Sequence, residues 1–377
     1  MRILDLLTLL GRIYTVPLSL STTTTIVHLD TGSSDLWVIS DLCTTGSCGD
    51  SVAPRLDYTT LNTSGDSVTM YYGDSSTGTL ATGPVAYNSA SLAGLTIPNQ
   101  AFVGVNYTTN PVIQYGAAGI FGLGFPSGSI VQQSLSVFHH GSQNTTDLFV
   151  EDTYTYGPLL SRIVQSNALD NPMFTISLQR DTIDPSSPSS GGGTGTLTVG
   201  TLPSGVDNSS LTWIPVRLYT PAEGGLEPPS FAPNEVYPYR WEIPIDGVWI
   251  DGTKLPASTI PALGGVDKGG ITSALIDTVR PLLYPASLLT LTLTGKLFNP
   301  RSKRRNLLPS LSCLSIALCY HPMRHPAYAR LRNWWENVPD RSERLYLRAH
   351  LDLCTCPLRN GPRLTSRLGR DIRMYSF

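Results

Sequence analysis

Along most of this chain apolar and polar positions change places every one to three residues, and turn-formers interrupt before a helical face can build. Residues 13–150 read as short apolar runs: IYTVPLSL, TTIVHLD, DLWVIS, SVTMYYG, GTLATGPVAY, QAFVGVNY and GIFGLGF. Each is strand-sized and bounded by turn residues, which predicts short β-strands. One stretch has a helical period. In GPLLSRIVQSNAL, residues 157–169, Leu159, Leu160, Ile163 and Val164 share a face. Strand patterns return in PMFTISLQR, GTLTVG, LTWIPVRL, YRWEIPIDGVWIDG and ITSALIDT. The low-complexity run 181–195 and the Pro- and Gly-rich run 220–238 are expected as loops, the first of them mobile. The expected fold class is all-β. Each half holds an apolar strand ending in Asp-Thr, at Asp30-Thr31 and Asp277-Thr278, a loose echo that suggests duplication.

Composition sharpens this picture. The chain has 377 residues with 34 Gly, 29 Pro and 14% charged residues. That is long enough for two lobes with a sizeable core, and too turn-rich for long helices. The net charge of −2 hides a break. Residues 301–377 hold 15 of the 26 Lys and Arg but only 5 of the 28 Asp and Glu, leaving 11 basic and 23 acidic residues in 1–300. Such asymmetry marks the end of the chain as a different kind of sequence. The basic segment carries no recognisable nucleic-acid module, so no nucleic-acid partner is expected. No run reaches the roughly 18–20 apolar residues of a membrane span. MRILDLLTLLG is a poor signal peptide, because its apolar run is short and contains Asp5.

Six cysteines are present, four of them (Cys313, Cys319, Cys354, Cys356) in the basic segment. Cys354, Cys356 and His350 fit no common zinc spacing, so no metal is expected. Four Asn-x-Ser/Thr sequences, at Asn62, Asn106, Asn144 and Asn208, are candidate glycosylation sites and favour a secretory route.

The chemistry lies in the two Asp-Thr stretches. A carboxylate followed by small residues permits a tight turn and close backbone approach. Hydroxyl and amide donors stabilise its charged form. Two such acids face to face cannot both ionise easily; they share a proton, and one serves as base while the other serves as acid. His28 is expected to point to the opposite side of the strand from Asp30, and is not read as catalytic.

LDTGSSDLWV, VTMYYGDSSTG, GIFGLGF, LLSRIVQSN, GTLTVGTLPSGVDNSSLTWIPV, YRWEIPIDGVWIDG and ALIDT occur in this order. Together they resemble the pepsin-like aspartic endopeptidases, nearest to the secreted fungal type, over roughly residues 13–294. The resemblance implies an all-β, bilobal fold with the active cleft between the lobes. It makes Asp30 and Asp277 the catalytic acids. Thr31, Gly32, Ser33, Thr278 and Trp37 become active-site support. Tyr72, Gly73 and Asp74 become a flap over the substrate, with Tyr72 preferred to Tyr71 from its spacing to Gly73. Ile120-Phe121-Gly122 would brace the first loop, and Cys43 and Cys48 stand where the family often has a small-loop disulfide. It implies peptide or protein substrates cleaved in acid, no cofactor, a monomer, and an extracellular or vacuolar location.

On the same footing, residues 1–12 are expected as a short leader remnant. Residues 13–165 would form the N-terminal lobe, and 166–296 a partial, incomplete C-terminal lobe. Residues 297–377 would be a disordered or non-native tail, such as a translated intron or shifted frame. The family's Gly-Thr-Ser/Thr after the second acid is replaced by Val279-Arg280-Pro281. This leaves an alternative: a catalytically impaired pseudoenzyme or truncated product that only binds peptides.

Overall fold

A computed structural model describes residues 2–9, 13–49, 51–73, 78–179, 195–247, 249–250, 253–254, 256, 273–278, 292–293, 313–319 and 346–350. Asp74, the loop 181–194 and Val279-Arg280-Pro281 lie outside the described residues. The first half contributes strands β1 (Arg2–Leu9), β2 (Ile13–Leu20), β3 (Thr23–Asp30), β4 (Leu36–Ile39), β5 (Asn62–Tyr72), β6 (Thr79–Leu92), β7 (Leu95–Val105), β8 (Tyr107–Thr108) and β9 (Gly119–Gly122). Helices α1 (Ile130–His140), α2 (Asp147–Tyr156) and α3 (Leu159–Gln165) follow. Next come β10 (Met173–Gln179), β11 (Gly195–Val199), β12 (Thr212–Pro215), β13 (Leu218–Tyr219), β14 (Tyr237–Pro238) and β15 (Glu242–Pro244). The last are β16 (Trp249–Ile250), β17 (Thr253–Lys254), β18 (Ser273–Leu275), β19 (Thr292–Leu293), β20 (Cys313–Cys319) and β21 (Tyr346–His350). The chain is all-β in class, mostly strand with few helices.

A 14-stranded sheet runs β12-β21-β20-β10-β11-β1-β2-β3-β9-β4-β7-β6-β5, with β8 paired to β6. Two placements differ from what composition suggests. Arg2–Leu9, inside the stretch read as a leader remnant, pair with β11 and β2 as β1, and Leu6 is fully buried. Cys313–Cys319 and Tyr346–His350, inside the basic segment, pair with β10 and β12 as β20 and β21. Without these partners β10 and β12 would present unpaired N–H and C=O groups, and such edges take up a strand-forming run that reaches them.

The predicted helix at 157–169 is present but shorter, ending where Ser166 caps it, and its buried face holds Leu159, Leu160, Ile163 and Val164 as expected. The sequence expectations place no helix at α1 or α2. In α1, Val137 and Phe138 are half exposed while Val131 and Leu135 are buried, which blurs the apolar stripe. Local chemistry sets its ends instead. The Ser129 hydroxyl accepts from the Gln132 N–H at 3.0 Å, and Gly141 closes the helix with φ +72°.

The feature that positions the site is a strand threaded between its neighbours. β9 runs parallel to β3 and antiparallel to β4, although β3 and β4 are consecutive in the chain. The link from β3 to β4, residues 31–35, must therefore arch over the end of β9. Trp241, just before β15, closes the core beneath. It is fully buried, donates from Nε1 to the Leu123 carbonyl at 3.0 Å, and packs on Phe125 and Phe174 at centroid distances of 4.3 and 5.7 Å.

Candidate active site

The arch of residues 31–35 is pinned from below by backbone bonds. The N–H groups of Gly122, Leu123 and Gly124 donate to the carbonyls of Asp35, Asp30 and Ser33 at 3.0, 2.8 and 2.8 Å. Gly122 allows this approach, since a Cβ there would lie 2.5 Å from the Ser34 carbonyl carbon. Asp30 is 2% exposed at the end of β3. Its Oδ1 accepts from the Gly32 N–H at 2.7 Å and its Oδ2 from the Ser33 hydroxyl at 2.5 Å. Both donors stabilise the carboxylate and fix its plane.

The second half reaches the same point along β18, which pairs with β15, while Ile276 N–H donates to the Trp241 carbonyl at 2.8 Å. There the two Asp-Thr stretches exchange hydrogen bonds. Thr31 N–H donates to Thr278 Oγ1 at 3.1 Å, and Thr278 N–H donates to Thr31 Oγ1 at 3.0 Å. The two hydroxyls in turn donate across the pair, Thr31 to the Ile276 carbonyl at 2.8 Å and Thr278 to the Leu29 carbonyl at 2.7 Å. Each threonine thus accepts from one backbone and donates to the other, with near two-fold symmetry. Asp277 comes against Gly32: a Cβ on that glycine would lie 2.9 Å from Asp277 Cγ and Oδ2. The residue that donates to Asp30 therefore also makes room for the second carboxyl group.

Tyr72, at the end of β5, accepts at its hydroxyl from Trp37 Nε1 at 2.8 Å. Tyr71 is 78% exposed, so the hairpin turns Tyr72 inward and Tyr71 out. Burial raises the Tyr72 phenol well above its ordinary value, the Asp30 and Asp35 charges add to this, and bonds to Trp37 and Ser33 oppose it. The phenol stays protonated. Gly73 follows with φ +79°, the left-handed turn of the hairpin. Cys43 and Cys48 form a disulfide with Cα atoms 5.7 Å apart. Asn62, Asn106, Asn144 and Asn208 are all exposed.

One residue escapes the sequence reading and a second is misplaced by it. Asp35 is buried at the start of β4. It accepts from the Ser129 hydroxyl at 2.5 Å and from the Ile130 and Val131 N–H groups at 2.8 and 3.4 Å, so it caps α1 from a distant strand. A charged residue heading the apolar run LWVI was the available signal. Burial pushes its carboxyl up to about 6 from the ordinary 3.8, against the pull of these donors. The folded state therefore binds the proton more tightly than the unfolded chain. Stability contributed by Asp35 rises as pH falls through about 6 and levels off below about 4. Above that window, ionised Asp35 costs about 3 kcal/mol. Asp35→Asn is expected to flatten the rise in urea midpoint between pH 6 and 4; an unchanged rise would assign it to other groups.

His28 is the second. The expectation that it faces away from Asp30 fails on the strand's own period, since residues two apart share a side. It is fully buried, and its charge interacts with that of Asp30.

An all-β scaffold that brings two Asp-Thr stretches into reciprocal contact defines a class of acid-paired proteins, and the comparisons agree with it. The family model described as eukaryotic aspartyl protease matches residues 14–280. The chain belongs to that family. It is 26% identical to cathepsin E-A of Xenopus laevis over 260 residues, 68% of this chain and 49% of that protein. It is 25% identical to gastricsin of Homo sapiens over 274 residues, 71% of this chain and 54% of that protein. Penicillopepsin-3 of Penicillium janthinellum is 34% identical over 134 residues, 35% of this chain and 33% of that protein. The chain spans about half the length of the curated relatives it matches.

Proposed function

We propose that this chain is an aspartic endopeptidase that hydrolyses peptide bonds in acid through a water activated by Asp30 and Asp277. The observation that carries this reading is the reciprocal Thr31–Thr278 network, which holds the two acids against Gly32. Paired carboxylates share one proton, because the first charge opposes the second. The ionised member takes a proton from water as the water attacks the peptide carbonyl. The protonated member donates to the carbonyl oxygen. Collapse of the tetrahedral species then passes a proton to the leaving amine. Gly32 N–H and the Ser33 hydroxyl keep Asp30 oriented as the charges move. Tyr72, tied to Trp37, forms with Gly73 and Asp74 a flap that excludes water over the substrate.

On this reading residues 13–165 and 166–296 form the two lobes. The chain acts outside the cell or in a vacuole as a glycosylated monomer, and prefers bulky apolar residues at the cleaved bond. Among the described residues no helix is long and apolar enough to cross a membrane.

Incubation with a denatured protein at acid pH tests the reading. Cleavage that a statine-type inhibitor stops is the expected result. Inhibitor binding without cleavage would instead favour a peptide-binding pseudoenzyme, the reading that Val279-Arg280-Pro281 in place of a glycine-hydroxyl turn supports.

A further inference from the structure

His28 is a charged-capable side chain with no solvent exposure, one strand repeat from the acid that ends β3. Its Nδ1 lies 2.9 Å from the Tyr14 carbonyl on β2. A carbonyl can only accept, so Nδ1 carries the hydrogen and the neutral ring keeps its lone pair on Nε2. That Nε2 is buried and has no hydrogen-bond partner among the described residues. An unpaired buried acceptor carries its full desolvation cost. Its neighbours in register are uncharged: Thr15 on β2 and Ile120 on β9. Tyr14 meets the ring through its carbonyl, and Asp30 is the one charge that acts on it among the described residues.

Resting on the reading above, we propose that His28 is a buried proton site coupled to Asp30, a positioning residue that holds the Asp30 carboxylate charged as the medium turns acid. The proton of the acid pair is then distributed over three groups, Asp30, Asp277 and His28 Nε2. Burial lowers the proton affinity of His28, and the Asp30 charge and the Tyr14 carbonyl raise it, with burial the larger effect. The imidazole therefore titrates below its ordinary range. Each charge stabilises the other, and the coupling is equal in both directions.

The test reads both directions. Histidine-labelled protein is titrated by NMR as wild type and as Asp30→Asn. Loss of the carboxylate is expected to lower the His28 midpoint by about one to two pH units, the scale of two charges about 7 Å apart in a protein interior. His28→Asn keeps a donor for the Tyr14 carbonyl and removes the titrating nitrogen. It is expected to move the acid limb of the kcat/KM profile up by a similar amount, with the thermal midpoint measured alongside to report folding. An unmoved His28 midpoint in Asp30→Asn, or a ring neutral throughout in wild type, overturns the proposal. Neither NMR outcome depends on cleavage, whereas a wild type that titrates as expected but cleaves nothing sinks only the endopeptidase reading.

Discussion

Asp30→Asn is expected to cut kcat/KM by about 10³-fold or more, with kcat falling by the same factor and the thermal midpoint nearly unchanged. The size follows from losing a positioned proton-transfer group, which by itself contributes about 10²- to 10⁴-fold. The equal fall in both constants follows because the proton moves only in the transition state. The fold should survive for a local reason. The asparagine oxygen can accept from Gly32 N–H as Asp30 Oδ1 does at 2.7 Å, and its amide can donate to the Ser33 hydroxyl, reversing the present bond. Steady-state kinetics with a chromogenic peptide, beside a melting curve, measure both. A variant within tenfold of wild type would remove Asp30 from the chemistry.

Trp241→Ala is expected to cost about 3–5 kcal/mol of folding free energy, the usual range for removing a fully buried Trp. Three losses combine: the indole area, the bond from Nε1 to the Leu123 carbonyl at 3.0 Å, and the packing on Phe125 and Phe174. Leu123 is the residue whose N–H holds the Asp30 carbonyl, and the Trp241 carbonyl holds Ile276 N–H, next to Asp277. One residue therefore ties to both acid-bearing stretches, through its side chain on the first and its backbone carbonyl on the second. Urea unfolding should show the midpoint fall, and the residual folded variant should lose activity beyond its folded fraction. A cost below about 1 kcal/mol would mean the site rests on other contacts.

Much of this was legible in the chain itself because it is local. Strand runs such as IYTVPLSL and QAFVGVNY are short apolar stretches bounded by turns, and the buried sides of β2 and β7 lie within them. Tyr72 could be told from Tyr71 by its place before Gly73, and the Trp37–Tyr72 bond at 2.8 Å gives that spacing a physical meaning. What was hidden depends on distant partners. Asp35 looks like a polar interruption until Ser129, 94 residues on, meets it. α1 is bounded by a capping serine and a closing glycine, and its apolar side mixes buried Val131 and Leu135 with half-exposed Val137 and Phe138. β1, β20 and β21 sit in runs whose composition suggests other fates, and only their partners β11, β10 and β12 make them strands. His28 was legible and misread, since counting by two places it beside Asp30.

The bonds between Thr31 and Thr278 join positions 247 residues apart. A ribosome adds about 5–20 residues per second, so the first loop waits about 12–50 s for its counterpart to emerge. Through that interval Asp30 already has its two local donors but faces no second acid. On the proposed reading, the nascent chain is inert toward the unfolded segments around it, its own included, until Asp277 and Thr278 have emerged and joined the first loop.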